Sequence, residues 1–173
     1  MQLYLWYCDH MRGISFAGLH CSIARTLDIV GERWTLLVLR DAFNGVRRFE
    51  DFATTLPIAR NILTDRLATL VEHGILRRDR YQERPDRYEY RLTAKGMELY
   101  PVLIALLQWG DHHLAGDDGP PLQVLHRDCG HQAAAAVVCT GCGEQLSARD
   151  VRPGQRRTSV AADEVAASAA QTP

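Results

Sequence analysis

At 173 residues and a formal net charge of −1, the chain has room for one ordinary domain with its own core plus small appendages, and none for two large domains. Near-neutral charge does not decide for or against a nucleic-acid binder, because such proteins are marked by where charge clusters. Of the twenty basic residues all but Lys95 are Arg, a usage that suits bidentate phosphate and guanine contacts and equally reflects a GC-rich genome.

Residues 1–20 read as an N-terminal extension that contains Cys8 and a second possible start at Met11. Asp9, His10 and Arg12 interrupt any secretory apolar region there, and no basic stretch precedes it. From Ser22 to His73 the spacing is helical. Ile23, Leu27 and Val30 make the first helix, and Gly31 separates it from a short apolar one built on Leu36, Leu37 and Val38. Phe49 and Phe52 mark a third helix, Pro57 sets a turn, and a longer helix over Ala59 to His73 buries Ile62, Leu63, Leu67 and Leu70 before Gly74 stops it.

Leu76 to Tyr81 and Tyr88 to Leu92 alternate as strands around a polar loop from Gln82 to Arg87, which predicts a β-hairpin. Thr93 then caps a helix whose apolar stripe, Leu99, Val102, Leu103, Leu106, Leu107 and Trp109, is too broad for a lone surface helix and predicts packing against a partner. Gly116 to Pro121 is a linker, 122–150 a compact Cys/His appendage, and 151–173 an Ala/Ser-rich tail expected to be disordered. No internal repeat is found, and no charge-free run is long and apolar enough for a membrane span.

Short helices followed by a hairpin with a charged loop define a mainly α fold with a small β-hairpin wing, the winged helix-turn-helix, whose last helix enters the major groove. In this frame Arg60, Asn61 and Thr64 face outward from the N-terminal half of the Ala59 to His73 helix, where Arg can pair with guanine, Asn with adenine, and the helix terminus favours a phosphate. Asp65 shares that face, but its carboxylate repels phosphate and suits a neighbouring Arg instead. Arg84 and Arg87 flank Pro85 at the wing tip and are candidates for phosphate or minor-groove contact. Arg47 and Arg48 precede the Phe49 helix and are placed to hold the DNA backbone, with a solvated turn as the equal alternative. Trp34 reads as core packing rather than a stacking platform.

The segments CSIARTLDIVGERWTLLVLRDAF, RRFEDFATTLPIARNILTDRLATLVEHGIL and YQERPDRYEYRLTAKG resemble the HxlR-type winged helix-turn-helix transcriptional regulators of the MarR-like superfamily, over about Cys21 to Leu114. The resemblance implies a homodimer that binds operator DNA and joins through its terminal helices. It also makes Cys21, at the head of the first helix, a candidate redox or electrophile sensor, with packing as its competing role.

In the appendage, His126-x2-Cys129 and Cys139-x2-Cys142 are two ligand pairs, each followed by a glycine (Gly130, Gly143) as tight turns around a metal require. Four such ligands predict one structural, tetrahedral zinc ion per chain in a zinc-ribbon-like unit; His131 competes with His126 for the fourth position, and a degenerate ribbon with free thiols is the alternative. Five cysteines, three of them crowded into 129–142, fit a reducing cytoplasm better than a disulfide framework. The sequence therefore predicts a DNA-binding transcriptional regulator, homodimeric, on an inverted-repeat operator. The alternative is a winged-helix protein-interaction module that binds no DNA. An enzyme is not expected, since no Ser/His/Asp set, phosphate loop or paired carboxylates appear.

Overall fold

The computed structural model describes residues 16, 18–117 and 119–155. Most of the N-terminal extension with Cys8, and the tail beyond residue 155, lie outside the described residues. The chain divides into two units, residues 1–135 and 136–173.

The first unit contains the helices and the hairpin. Its elements are α1 (Ser22–Val30), α2 (Arg33–Phe43), α3 (Phe49–Thr55), α4 (Arg60–Glu72), β1 (Leu76–Glu83), β2 (Asp86–Leu92), α5 (Ala94–Met97) and α6 (Tyr100–Leu114). Val30 from α1, Val38 and Leu39 from α2, Phe52 from α3 and Leu63, Leu67 and Leu70 from α4 meet Leu56, Ile75 and Leu76 in one buried cluster. Each buried side chain of this kind contributes about 1.5–3 kcal/mol relative to exposure, so the cluster fixes which face of α4 turns inward. Ile62, expected in the core, is only half-buried; the inward row is Leu63, Leu67, Leu70.

Helix α4 ends in a Schellman motif. Gly74 takes φ +66°, its N–H donates to Val71 C=O at 3.0 Å, and Ile75 N–H reaches back to Leu70 C=O at 2.9 Å. The chain is thereby turned directly into β1. At the other end of the hairpin, Thr93 Oγ1 accepts from Gly96 N–H at 3.0 Å and donates to Gly74 C=O at 2.7 Å, so one hydroxyl caps α5 and ties it to the end of α4. A side chain at Gly96 would collide with the Ile75 carbonyl at 2.2 Å, so only glycine allows α5 to lie there.

Two expectations change here. The strands extend to Glu83 and from Asp86, pairing Gln82 with Arg87 and Glu83 with Asp86, so the wing turn is only Arg84-Pro85 and the ladder slips between Arg80 and Gln82. Backbone pairing does not require apolar side chains, which is why a polar run concealed two strand ends. The capped helix is also two helices, broken at Glu98 and Leu99, with Pro101 in the first turn of α6. Trp34 is half-buried and outside the main core cluster; its backbone N–H is held by the Glu32 carboxylate at 3.3 Å.

After α6, the first unit carries a small turn in which Leu125 bridges Gln132, and Ala135 N–H donates to Gln108 Oε1 of α6 at 2.6 Å. In the second unit Val138 bridges Gln145 around a similar turn. Throughout 122–150 no residue is buried; every one is exposed or half-buried.

Candidate nucleic-acid interface

Because α4 buries Leu63, Leu67 and Leu70, its opposite face is open, and Arg60, Asn61, Thr64 and Asp65 are all exposed along it. The Thr64 hydroxyl donates to the Arg60 carbonyl at 2.9 Å and keeps its oxygen as an acceptor. Arg60 is held by a residue that sequence spacing alone did not single out. Its Nη1 donates to Glu50 Oε2 at 2.8 Å and its Nη2 to Glu50 Oε1, while its guanidinium carbon lies 4.8 Å from the centre of the Phe49 ring. Glu50 and Phe49 begin α3 and Arg60 begins α4, so the first turn of one helix grips the first residue of the next. Asp65, offered as the partner of an Arg, is not in this pair.

The electrostatics follow from that geometry. The Arg60 hydrogen bonds, with the charges of Arg60 and Arg87, hold the Glu50 carboxyl below its ordinary value, and Glu50 in turn raises Arg60. Both side chains remain exposed to water, so the pair organises a surface more than it stabilises the fold.

Arg47 and Arg48 are also exposed, but Arg48 is not a loose backbone clamp. It bridges Glu89 of β2 through the main chain, its Nε lies 3.7 Å from Glu89 Oε1, and its guanidinium sits 4.6 Å from the Tyr81 ring centre. Arg47 accepts a hydrogen bond from Tyr90 N–H at 2.7 Å through its carbonyl, which leaves its side chain outward. These contacts add a short third edge to the hairpin. On the wing, Arg77, Arg80 and Arg91 form ion pairs with Asp79, Asp86, Glu83 and Glu89, and Arg78 stacks on Tyr88 at 3.6 Å. Among the described residues no salt bridge holds Arg84, in the turn, or Arg87, near the start of β2, and both are exposed. A cleft of about 660 Å³ opens between the start of α3 and the wing, with Arg48, Phe49, Glu50, Arg87 and Tyr88 in its walls.

The ligand-type residues of the appendage lie on two turns of like geometry. In the first unit Gly130 has φ +70°, its N–H donates to His126 C=O at 2.8 Å, and His126 Nδ1 lies 3.1 Å from Cys129 Sγ. His131 meets this turn through its carbonyl, which accepts from His126 N–H at 2.8 Å. In the second unit Gly143 has φ +76° and donates to Cys139 C=O at 2.8 Å. The backbone N–H groups of Cys142 and Gly141, with the Cys142 side chain, point at the Cys139 sulfur and lower its pKa. Among the described residues no group of three or more His, Cys, Asp or Glu is gathered as a metal ion would need. Cys21 is exposed at the N-cap of α1 and gives no side-chain cap, so within one chain it does not pack into the core.

An exposed helix face beside a basic two-stranded wing, on a small helical core, is a winged helix-turn-helix, the fold of DNA-binding transcription regulators. The chain belongs to the HxlR-like helix-turn-helix family, whose model matches residues 29–118, and it is a helix-turn-helix transcriptional regulator. It is 48% identical over 132 residues to Rv3095 of Mycobacterium tuberculosis, an uncharacterised HTH-type transcriptional regulator, covering 76% of this chain and 84% of that one. An uncharacterised HTH-type regulator of Synechocystis, sll1512, is 44% identical over 95 residues, or 54% of this chain and 70% of that one. The solved structure of PA1607, a candidate transcription factor, is similar over 83% of this chain and all of its own, with 38% identity and a TM-score of 0.75. Among the described residues no helix is long and apolar enough to cross a membrane.

Proposed function

We propose that the protein is a cytoplasmic homodimer that binds an inverted-repeat operator in duplex DNA, with α4 in the major groove and the Arg84-Pro85 turn on the adjoining backbone or minor groove. The observation that carries this reading is the outward row Arg60, Asn61, Thr64 on a helix whose other face is locked into the core. Side chains of these types read base edges, whereas Arg47, Arg84 and Arg87 supply sequence-independent phosphate attraction. The homodimer is supported by an apolar surface that one chain leaves open: Ile23 and Leu27 on α1 and Val102, Leu106 and Trp109 on α6 are all exposed. Two-fold pairing of α4 places half-sites about 10 bp apart or a multiple of it. Selection of duplexes from a random pool tests the reading: recovery of a palindromic consensus supports it, and failure to enrich any duplex at low salt overturns it.

We propose also that the two Cys/His turns each supply two of the four ligands of one structural zinc ion per chain: His126 and Cys129 from one, Cys139 and Cys142 from the other. The support is local to each turn, in its left-handed glycine and paired ligand atoms, and in the absence of any buried residue across 122–150 that would otherwise hold the segment. His126 is preferred to His131 because its ring lies beside Cys129.

A further inference from the structure

We propose that Glu50 is a positioning residue for DNA sequence reading: it clamps the Arg60 guanidinium so that its free edge is presented to a guanine, and thereby makes Arg60 a base reader instead of a general phosphate contact. This rests on the placement of α4 in the major groove given above.

A guanidinium has five N–H groups in one plane. Glu50 takes the end-on edge, one N–H from Nη1 and one from Nη2, and the Phe49 ring lies against the flat face. What remains is the side-on edge, Nε–H with an Nη N–H, and no other hydrogen bond from this side chain forms among the described residues. Two parallel N–H groups at that edge match the O6 and N7 acceptors of guanine. They match a phosphate equally well, so chemistry alone does not choose between base and backbone.

Two effects of Glu50 make the choice. Held at one edge and one face, Arg60 has lost most of the rotamer freedom that would let it swing to the nearest phosphate, so the cost of ordering it is met before DNA arrives. Its charge is also compensated by a carboxylate in direct contact, which weakens the long-range attraction to the backbone that any duplex offers while leaving the directional hydrogen bonds intact. Glu50 lies in the first turn of α3, beside the cleft that faces the wing, and acts through the guanidinium it holds. Arg60 without Glu50 would be a flexible cation at the tip of a helix, and such a group binds all sequences.

The test uses the full-length protein, a duplex selected from a random pool by the parent, and a scrambled duplex of the same length. Affinities for both are measured by fluorescence anisotropy across a salt series. For Glu50→Ala and Glu50→Gln we expect tighter binding to the scrambled duplex, a salt slope steeper by about 1, and a selected-to-scrambled ratio lower by about tenfold. In an Arg60→Ala background the same Glu50 changes should leave that ratio unmoved, because nothing remains to be positioned. If Arg60→Ala lowers the ratio and the Glu50 variants do not, the clamp is wrong although the reading of α4 stands. If the Glu50 variants lower the ratio equally with and without Arg60, Glu50 acts on DNA by itself and the proposal is overturned. If Arg60→Ala leaves the ratio unchanged, α4 does not read bases through Arg60, and the proposal fails together with that part of the function it rests on.

Discussion

Leu103 and Leu106 lie three residues apart on α6 and meet different surroundings: Leu103 packs against the core of its own chain, whereas Leu106 is 49% exposed. The apolar stripe that looked like a single partner-facing surface is therefore two rows. One row, with Leu99, Leu103 and buried Ile104, fastens α6 to its own domain; the other, with Val102, Leu106 and Trp109, faces outward. Leu106→Glu should split the dimer without unfolding the chain, raising its dissociation constant by about a hundredfold, since a carboxylate in an apolar interface costs on the order of 3 kcal/mol. Leu103→Glu should instead lower thermal stability of the fold itself. Light scattering read beside a thermal melt separates the two, and a parent that is already monomeric at micromolar concentration would sink the dimer.

The wing gives a prediction about salt. Arg84 stands exposed in the two-residue turn and Arg87 exposed near the start of β2, while Arg77, Arg80 and Arg91 are engaged with carboxylates of the hairpin. Replacing both Arg84 and Arg87 with Ala should weaken binding to every duplex alike and flatten the slope of log K against log salt by about 1 per arginine. An unchanged slope would show that the turn does not touch phosphate. Asn61→Ala should behave in the opposite way, with an unchanged slope and about tenfold loss of preference at one base position.

Much of this arrangement could be read from the chain, and the rest could not, for identifiable reasons. The apolar spacing gave four helices, Gly74 and Thr93 marked real ends, and the outward face of α4 followed once its inward row was known. Those signals are local. The Glu50 to Arg60 pair joins residues ten apart across the turn between two helices, and nothing in either residue's neighbours announces it. Arg48 looked free because the strand it pairs with lies some forty residues further on, at Glu89. The break before α6 had a visible signal in Pro101, outweighed by a continuous apolar pattern on both sides of it.

The Glu50 carboxyl also sets a pH expectation. Its hydrogen bonds to Arg60 hold it below the ordinary 4.5. A carboxylate lowered in the folded state contributes above its unfolded value and loses that contribution as pH falls through its own lower value. The clamp should therefore persist unchanged from neutral pH down to about that ordinary value and dissolve only below it. Carbon-13 NMR of the Glu50 side chain should show a titration midpoint below 4.5, moving back up in Arg60→Ala. A midpoint at or above 4.5 in the parent would mean that the pair does not form in solution.

A segment in which no residue from 122 to 150 is buried cannot be ordered by apolar burial, and a few backbone hydrogen bonds exposed to water contribute little against the entropy of some thirty residues. Yet it contains two turns with left-handed glycines at Gly130 and Gly143, a histidine ring 3.1 Å from one thiol, and backbone N–H groups directed at another. Zinc bound by these four side chains, as proposed above, would supply what burial does not, since coordination free energy becomes folding free energy in small metal units. Protein purified without chelator should carry about one equivalent of zinc, and Cys142→Ser should lower that content steeply. Removing the metal should raise hydrogen exchange across 122–150 while α1 to α6 keep their protection and most affinity for DNA is retained, because the winged-helix core contains none of the ligands. Well under half an equivalent of zinc in a protein whose 122–150 amides are nonetheless protected would show that something other than metal holds the turns.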